Sequence, residues 1–575
     1  MTLFERILVA RGLDVKSKAV FLSPDYLIQP DPFLLTDMDK AVNRLIKALK
    51  RQDRIVIYGD YDIDGLTATT LLLDAFTSFG FKSVDVFIPN RFTEGYGMTI
   101  EAIEKIAGDG AQLIVTVDCG SSSEKEINRA NEMNVDVIVT DHHTVSTSRP
   151  PALAVINPKY PDSKLDLRKT SHPSGDSASE DAGIIRKSSK YPFVDLAGVG
   201  VAFKLVQALQ IKLNENPDIN LGLPFGQEKW LLDLVALGTV CDIVPLLGEN
   251  RTNVYWGLKV LSQAKRPGLK ALMAVAGIDP KTVNSRSIGF GLGPRMNAAG
   301  RLETARHALD MLIATDPMLA LEKAEYLDAL NKSRRIEQDK IYKQAVVQAE
   351  KYLADPVLVV SSADWNHGIV GIVASKLLEK YKKPVFVLQQ MGDESKGSAR
   401  SFGDFSVIDA IDSVTDIINH GGGHKLAAGV TLPTTNIDMF RKRINDFYRH
   451  QNLFNQPALL LPMVDAGAEL SEITEELVGL IAQLEPFGIG NSQPVVRCDN
   501  LLVKAVRRMG SDNQHVKIDL RDNAGMAMQF IAFNAPDSYF VEPGQSVSVW
   551  FHPNVNEWRG SRSVEGQLLN VEVSS

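Results

Sequence analysis

The sequence has few cysteines and no long apolar run. Its 575 residues include only Cys119, Cys241 and Cys498, which are odd in number and far apart. This pattern excludes a disulfide framework and a zinc ribbon, and it is typical of a reducing compartment. No run of about 18 uncharged apolar residues occurs that could cross a membrane. The first residues also carry charges too early for a signal peptide. We therefore expect a soluble cytoplasmic protein without membrane contacts.

Basic residues are also fewer than acidic residues. The 62 lysines and arginines are outnumbered by 70 aspartates and glutamates, which gives a net charge of −8. Many DNA-binding proteins are strongly basic, so composition alone disfavours nucleic acid. A basic groove can nevertheless form on an acidic protein. Candidates for such a groove are Arg286, Arg295, Arg301, Arg306, Lys332 to Arg335, Arg507 and Arg508. A solvated helix face is the alternative for each of them.

Three short apolar runs each end in candidate metal ligands. Ile55–Tyr58 precedes Asp60, Asp62 and Asp64, Leu113–Val117 precedes Asp118, and Val135–Val139 precedes Asp141, His142 and His143. Such β-branched runs, separated by helix-sized segments, predict buried parallel strands. A fourth apolar run, Leu231–Val240, precedes Asp242, and we expect it to be a further strand. Ligands bind at the carboxyl ends of the strands in an open α/β sheet, so these side chains should meet at one edge.

Carboxylates and imidazoles from separate strands form a cage that suits Mn²⁺, or Mg²⁺ where imidazoles are few. The set is large enough for two ions that share a bridging carboxylate. Paired ions roughly 3.5 to 4 Å apart are the usual device for in-line displacement at phosphorus. A single Asp-x-Asp is more often a turn or a helix cap. Four acidic sites in order, with two histidines on the third, favour a metal centre.

These residues resemble the DHH phosphoesterase superfamily. Asp141-His142-His143 carries the resemblance together with Gly59–Gly65 and Val117–Gly120. Further motifs narrow it to the RecJ family of single-strand-specific exonucleases, namely Pro89–Gly97, Leu196–Phe203, Gly293–Arg301 and Gly421–Gly429. The motifs cover most of residues 50 to 430.

The resemblance implies a 5′ to 3′ exonuclease that hydrolyses single-stranded DNA to 5′-mononucleotides in DNA repair and recombination. It implies two Mn²⁺ or Mg²⁺ ions, with Asp118, His142 and His143 as catalytic residues. The implied metal ligands are Asp62, Asp64, Asp118, His142, His143 and Asp242. The superfamily often has a histidine where this chain has Tyr58. Asp60 therefore either replaces that ligand or supports the others from the second coordination sphere.

The resemblance also implies residues that contact DNA. Arg91, Ser398 and Arg400 match the family's 5′-phosphate pocket, a role that suits the planar guanidinium. Arg295 and Arg301 are further substrate-binding candidates. His424, which follows a glycine cluster, is a candidate contact to the scissile phosphate or its neighbour. We expect the strand to lie between two α/β domains, in a passage too narrow for a duplex.

The predicted fold class is α/β, followed by a small β barrel. Residues 1–50 are predicted as a helical lead-in and 51–315 as the parallel-sheet DHH catalytic domain. A serine-rich insertion at 162–190 is predicted to be a mobile loop, and its His172 is not assigned to catalysis. Residues 316–353 are predicted as one long connecting helix, 354–455 as a second α/β domain, the DHH-associated domain, and 456–575 as an OB-fold domain.

Alternating segments such as His515–Arg521 and Ser546–Phe551 underlie the barrel prediction. Trp550, Trp558, Arg559 and Arg562 are candidates to stack on bases or contact phosphates, although aromatic residues in a small barrel more often belong to the core. Two alternatives stay open, a DHH phosphodiesterase acting on short RNA or cyclic dinucleotides and a non-catalytic single-strand binding module. The expected partners are single-stranded DNA, a single-strand binding protein and a helicase, and we expect a monomer.

Overall fold

The computed structural model describes the chain in two compact units. It covers residues 1–575 except 96, 146–147, 161–190, 217–218, 220–223, 225, 452, 454–456, 511–512, 559 and 575. The larger unit comprises Val15–Asn331 and Gln483–Gln493, and the smaller unit comprises Met1–Asp14, Lys332–Ala482 and Pro494–Ser575. The predicted insertion at 162–190, with His172, lies outside the described residues. None of the described helices combines the length and the apolar character that a bilayer span requires.

A five-stranded parallel sheet forms the centre of the larger unit. Its order is β2-β1-β3-β4-β5, and all four pairings are parallel. The strands are β1 (Ile55–Tyr58), β2 (Val84–Phe87), β3 (Leu113–Val117), β4 (Asp136–Thr140) and β5 (Ala154–Ile156). Every residue of β1 and β3 is buried, as expected for β-branched strands covered on both faces. The prediction of three parallel strands at these positions is confirmed.

Helices cover the sheet and continue beyond it. On one face of the sheet, the main core packs β1 and β3 against helices that include Met38–Arg51, Ile63–Ser78 and Gly198–Glu215. The helices Ile100–Gly108 and Glu124–Glu132 pack on the other face. In chain order the helices of this part are α2 (Val15–Leu22), α3 (Met38–Arg51), α4 (Ile63–Ser78), α5 (Ile100–Gly108), α6 (Glu124–Glu132), α7 (Gly198–Glu215), α8 (Leu232–Cys241), α9 (Gly248–Leu261), α10 (Pro267–Val275), α11 (Gly293–Leu302) and α12 (Arg306–Ile313). A π-helical turn at Ser287–Leu292 precedes α11.

The prediction of a fourth strand at Leu231–Val240 was wrong. These residues form most of the helix α8, and Asp242 is its C-cap rather than the end of a strand. The residues Leu232 to Thr239 are all buried. A helix buried on every side carries no amphipathic period, so a ten-residue apolar run cannot be told from a strand by its pattern.

The smaller unit contains a second sheet, of order β6-β7-β8-β10-β9. Its strands are β6 (Leu358–Ser362), β7 (Val385–Met391), β8 (Glu394–Arg400), β9 (His420–His424) and β10 (Ala427–Pro433). The helices that accompany it are α14 (His367–Tyr381), α15 (Val407–Asp412) and α16 (Ile437–Arg449). A 33-residue helix, α13 (Pro317–Ala349), precedes this sheet, where composition predicted one long helix.

The C-terminal strands form a closed barrel, as predicted. The strands are β11 (Ala466–Gly467), β12 (Val496–Met509), β13 (His515–Arg521), β14 (Ala527–Ala532), β15 (Ser546–Trp558) and β16 (Ser561–Val573), with α17 (Glu475–Ala482) before β12. The sheet order is β11-β12-β13-β14-β16-β15, and a further pairing of β12 with β15 closes it. Alternate residues of β13 are buried, because one face of each strand lines the barrel core.

The first helix, α1 (Leu3–Ala10), belongs to the smaller unit and contacts α17 and β11. Arg6 pairs with Glu472, and Arg11 Nε lies 2.7 Å from Asp465 Oδ1. The segment 1–50, predicted as a single lead-in, is therefore divided between the two units.

Candidate metal centre

The candidate ligands lie where the order of the sheet reverses. In an order of 2-1-3-4-5, the connections after β1 and β3 leave in opposite directions, and ligands bind in the crevice between those strand ends. Asp60, Asp62 and Asp64 follow β1, and Asp118 follows β3. Asp60, Asp64 and Asp118 are buried. Parallel pairing thus brings residues more than 50 positions apart to one edge.

Two helix N-termini fix the carboxylates after β1. Asp62 is the N-cap of α4, and its Oδ1 accepts a hydrogen bond of 3.0 Å from the Gly65 N–H. The Asp64 carboxylate accepts bonds from the N–H groups of Gly198 (2.6 Å) and Val199 (2.9 Å), at the start of α7. Unpaired N–H groups and the helix dipole favour a negative charge at such a position.

Glycines allow the helices to approach the carboxylates this closely. A Cβ atom added at Gly198 would lie 2.7 Å from Asp118 Oδ1. One added at Gly238, in α8, would lie 2.7 Å from Asp64 Oδ1 and 2.5 Å from Thr67 Oγ1. Side chains at these positions would therefore displace the candidate ligands.

His142 and His143 join the cluster from the end of β4. His142 Nε2 lies 3.1 Å from Asp118 Oδ1, 3.5 Å from Asp242 Oδ2 and 3.9 Å from Asp64 Oδ2. His143 Nδ1 lies 2.8 Å from Asp141 Oδ1. Asp141 also accepts bonds from the N–H groups of Ser121, His142 and His143. Asp141 therefore orients the histidines, which is the usual role of a carboxylate in the second coordination sphere.

The protein alone poorly compensates the charge of these carboxylates. Burial, together with neighbouring carboxylates, raises the pKa of Asp64 to about 7 and that of Asp242 to about 9. The same causes raise the pKa values of Asp60 and Asp118 well above their ordinary value. Burial and the nearby His143 lower the pKa of His142 to about 3, so its imidazole is neutral at pH 7. A bound divalent cation would lower these carboxylate pKa values and stabilise the charged forms.

The residues fit divalent cations. Within the described part of the chain, Asp60 Oδ1, His142 Nε2 and Asp242 Oδ2 are buried and make no hydrogen bond of acceptable geometry, although buried polar atoms are normally paired. Three triads have ligand atoms within 4.8 Å of one another, namely Asp118/His142/His143, Asp64/His142/Asp242 and Asp60/Asp62/Asp118. Asp118 and His142 each belong to two triads, so the triads form one continuous cluster. The structure thus brings together all seven residues predicted as ligands.

A pocket of about 250 Å³ opens onto this cluster. Two of the predicted substrate-binding residues, Arg91 and Arg301, line it. The Arg91 guanidinium stacks over the ring of Tyr61, 4.7 Å from its centroid. Sequence reasoning missed Tyr61 and Asn297, which also line the pocket. Their positions inside two of the quoted motifs, between Asp60 and Asp62 and within Gly293–Arg301, were the available signal.

Arg295 does not line this pocket. Its Nε donates to Asp328 Oδ1 at 2.8 Å, and its Nη1 donates to the Gly291 carbonyl at 2.7 Å. The contact with Asp328 ties α11 to α13. The structure therefore supports a structural role for Arg295 and gives no support to the predicted contact with substrate.

Ser398 and Arg400 lie two residues apart on β8, in the smaller unit. A Cβ atom added at Gly371 of α14 would lie 3.3 Å from Ser398 Oγ and 3.4 Å from Arg400 Nη2. Burial lowers the pKa of Arg400. A partly desolvated guanidinium beside a hydroxyl is suited to bind an anion. His424 is exposed at the end of the glycine-rich edge strand β9.

The structure separates two of the barrel residues that were candidates for DNA contact. Trp550 is only 6% exposed, and the Arg497 guanidinium lies 4.5 Å from its ring centroid. Its burial favours the core over base stacking. Arg562 pairs with Glu475 at 2.7 Å. Arg559 and the side chain of Trp558 lie outside the described residues.

Comparisons with known proteins cover almost the whole chain. Residues 54–239 match the DHH family, N-terminal domain, residues 354–450 match the DHHA1 domain, and residues 464–570 match the RecJ OB domain. The single-stranded-DNA-specific exonuclease RecJ of Bacillus subtilis is 35% identical over 573 residues, which are 99% of this chain and 67% of the relative. The Escherichia coli protein of the same name is 34% identical over 556 residues, which are 93% of this chain and 90% of the relative.

Solved structures agree with the sequence comparison. The crystal structure of RecJ from Thermus thermophilus in complex with Mn²⁺ has a TM-score of 0.81 at 27% identity, and the match covers 100% of this chain and 76% of that one. The crystal structure of an exonuclease RecJ bound to manganese has a TM-score of 0.59 at 32% identity, covering 72% and 95%.

Proposed function

The chain belongs to the RecJ family of DHH phosphoesterases, and from that premise we propose that it is a metal-dependent exonuclease that degrades single-stranded DNA from the 5′ end. The observation that carries the proposal is the cluster of Asp and His side chains at the edge of the parallel sheet, with its buried, unpaired ligand atoms. The expected products are 5′-mononucleotides, and the expected setting is DNA repair and recombination.

Mn²⁺ or Mg²⁺ is the cofactor, and two ions would be held by Asp60, Asp62, Asp64, Asp118, His142, His143 and Asp242. When bound, the ions would activate the attacking water and neutralise charge that develops on the phosphodiester. The protein's own contribution is to fix the ligands before the ions arrive. The α7 N-terminus holds Asp64, and Asp141 holds His143, so little reorganisation accompanies binding.

Arginines supply the positive charge that the composition lacks overall. Arg91 and Arg301 line the pocket beside the carboxylates, where they would contact substrate phosphates. Ser398 and Arg400 would bind the terminal 5′-phosphate, and His424 would contact a phosphate near the cleavage position. Capture of the strand end by Arg400 would give the enzyme its 5′ polarity.

The test is hydrolysis of strands labelled at either end, with Mn²⁺ and with EDTA. We expect release of 5′-mononucleotides from the 5′ end of single-stranded DNA, with none in EDTA and little from a blunt duplex. A cyclic dinucleotide and a short RNA serve as competing substrates. Faster turnover of either one, or digestion from the 3′ end, would contradict the proposal. Binding of DNA without hydrolysis would instead support a non-catalytic module.

Arg400→Ala tests end capture. Loss of the guanidinium should reduce kcat/KM on 5′-phosphorylated strands by about tenfold or more and leave 5′-hydroxyl strands almost unaffected. Arg443→Ala is the matched control, because Arg443 in α16 pairs with Asp416 on the surface of the same unit. An equal loss on both kinds of strand would contradict the assignment of Arg400.

We propose the domain boundaries 51–315, 316–353, 354–455 and 456–575, and the three family matches, at 54–239, 354–450 and 464–570, fall within the first, third and fourth of these ranges. The described cysteines are all free thiols, in line with action in the cytoplasm. We propose that the protein acts as a monomer with a single-strand binding protein and a helicase, which sedimentation and pull-down with purified partners would test.

A further inference from the structure

The end of helix α8 carries an isoleucine in a conformation that isoleucine rarely adopts. Ile243 has a φ of 63°, in the left-handed region where a β-branched residue is an outlier. It follows Asp242, the C-cap of α8, whose N–H donates to the Gly238 carbonyl at 2.8 Å. Left-handed geometry is common directly after a C-cap, but glycine or asparagine usually provides it. The backbone at position 243 is therefore strained in a way that a glycine would avoid.

The surroundings hold the strained turn in place within the larger unit. The Leu246 N–H donates to the Ile489 carbonyl at 2.7 Å, and Asn250 Nδ2 donates to the Pro245 carbonyl at 3.1 Å. The backbone of Gly490 lies against Pro245 and Leu247 so closely that an added Cβ would be 3.3 and 3.1 Å from them. Strained residues persist only where the structure over-determines them, and they cluster at functional sites.

Packing within the chain does not explain why an isoleucine stands at position 243, because Ile243 is 66% exposed. Helix capping does not explain it either, since glycine would serve that role at lower cost. The residues before it belong to the candidate site, since Asp242 is a predicted ligand and Cys241 lines the pocket. An exposed aliphatic group held beside a metal ligand is placed to contact a bound molecule.

A second exposed apolar residue lies at the same end of α8. Phe290 is 74% exposed in the π-helical turn Ser287–Leu292. An added Cβ at Gly289 would lie 3.8 Å from Val240, and one at Gly293 would lie 2.8 Å from Cys241 Sγ. The turn therefore packs on the residues that precede Asp242. Single π-helical turns are frequently found at functional sites.

We propose that Ile243 packs against a nucleobase of the bound strand, next to the scissile phosphate. The inference rests on the proposed function, which supplies single-stranded DNA as the bound molecule. The phosphates of such a strand would be attracted to the metal centre and to the arginines. The base faces are its apolar surfaces, and apolar or aromatic contacts to them tolerate any sequence. The contact would hold the terminal nucleotide while its phosphodiester is hydrolysed.

Ile243→Gly tests the backbone strain and the proposed base contact separately. Relief of left-handed strain should raise the thermal midpoint by about 1 °C or more, while kcat/KM on single-stranded DNA should fall about fivefold or more. Lys382→Gly is the matched control, because Lys382 is an exposed residue with a φ of 52° at the C-terminus of α14. It should raise the midpoint without changing turnover.

The substrate provides the second half of the test. On strands that carry abasic residues at the first few 5′ positions, wild type and Ile243→Gly should be equally active, since no base face is present. Ile243→Asn, which tolerates the same backbone conformation, should behave like Ile243→Gly, and Ile243→Val should retain wild-type activity.

An unchanged kcat/KM for Ile243→Gly on intact strands would overturn the inference. An equal loss on intact and abasic strands would also overturn it, because the effect would then act through Asp242. Neither result would contradict the proposed exonuclease activity, provided that wild type degrades single-stranded DNA. Failure of wild type to do so would contradict the proposed function instead.

Discussion

At the scale of single residues, the metal centre places carboxylates where the folded protein alone stabilises them poorly. Asp118 is the clearest case, because burial and four neighbouring aspartates raise its pKa. It also has a φ of 60°, a conformation that aspartate tolerates better than most residues. A group that opposes folding in this way is retained when a ligand or a reaction requires it.

Asp118→Asn should therefore separate stability from activity. Hydrolysis should fall by at least about a hundredfold, because the residue shared by two ligand triads loses its charge. The metal-free variant should melt at a higher temperature than metal-free wild type. A raised folded-state pKa means that the native protein binds the extra proton, so wild-type stability is lost as pH rises through that pKa. The gain should therefore be largest at high pH and disappear near pH 4.

The measurements are single-turnover hydrolysis in Mn²⁺ and thermal melts in EDTA from pH 4 to 9. Ser148→Ala, at an exposed position of the same unit, serves as the control for a neutral substitution. Wild-type turnover by Asp118→Asn would rule out Asp118 as an essential ligand.

At the scale of elements, the sheet edge was predictable and the helix α8 was not. The runs at β1, β3 and β4 are short and rich in β-branched residues, and acidic residues follow each one, so both strand and ligands could be read from the sequence. The run at α8 is equally apolar because helices surround it, and its pattern contains no period to recognise. Asp242 still lies in the cluster, because the C-terminus of a helix can place a side chain at the site just as the end of a strand can.

Contacts that leave no signature in the sequence could not be predicted. Arg295 and Arg301 occur in one motif, yet only Arg301 lines the pocket, because Asp328 of α13 engages Arg295. Pairing over 33 positions depends on packing between helices, which one sequence does not specify. Trp550 was left open between the barrel core and base stacking for a similar reason, since an alternating strand does not reveal which face closes the barrel.

The N-terminus of α7 offers a test at this scale. Gly198→Ala would place a methyl group 2.7 Å from Asp118 Oδ1 and disturb the N–H groups that hold Asp64. We expect activity to fall about tenfold or more while the fold is retained. For Gly200→Ala, in the same helix turn, the nearest neighbour of the added methyl group is Leu196 at 3.4 Å, so this substitution should be tolerated. Circular dichroism and metal titration would accompany the assays, and unchanged Mn²⁺ affinity in Gly198→Ala would contradict the prediction.

At the scale of the whole molecule, the segment Gln483–Gln493 belongs to the larger unit although its sequence neighbours on both sides belong to the smaller one. Arg251 secures it, with Nη1 donating to the Leu484 carbonyl and Nη2 donating to the Glu485 carbonyl, both at 2.9 Å. The guanidinium also lies 3.7 Å from the ring centroid of Phe21. One buried arginine thus joins three distant parts of the chain.

Arg251→Leu should lower the stability of the larger unit by about 3 kcal/mol, because buried carbonyl groups would lose their donors. Urea unfolding followed by tryptophan fluorescence would measure the change. Arg306→Leu is the control, since Arg306 forms an exposed pair with Asp310 whose loss should cost about 0.5 kcal/mol or less. Equal effects of the two substitutions would show that the segment is not held through Arg251.

The position of α1 has a consequence for synthesis. This helix leaves the ribosome long before the residues that it contacts in α17 and β11, because those are encoded more than 450 positions later. At roughly 5 to 20 residues per second, the nascent helix waits on the order of half a minute to a minute and a half for its partners. During that time its apolar face, with Leu3, Phe4, Ile7 and Leu8, is open to the chaperones that meet a growing chain.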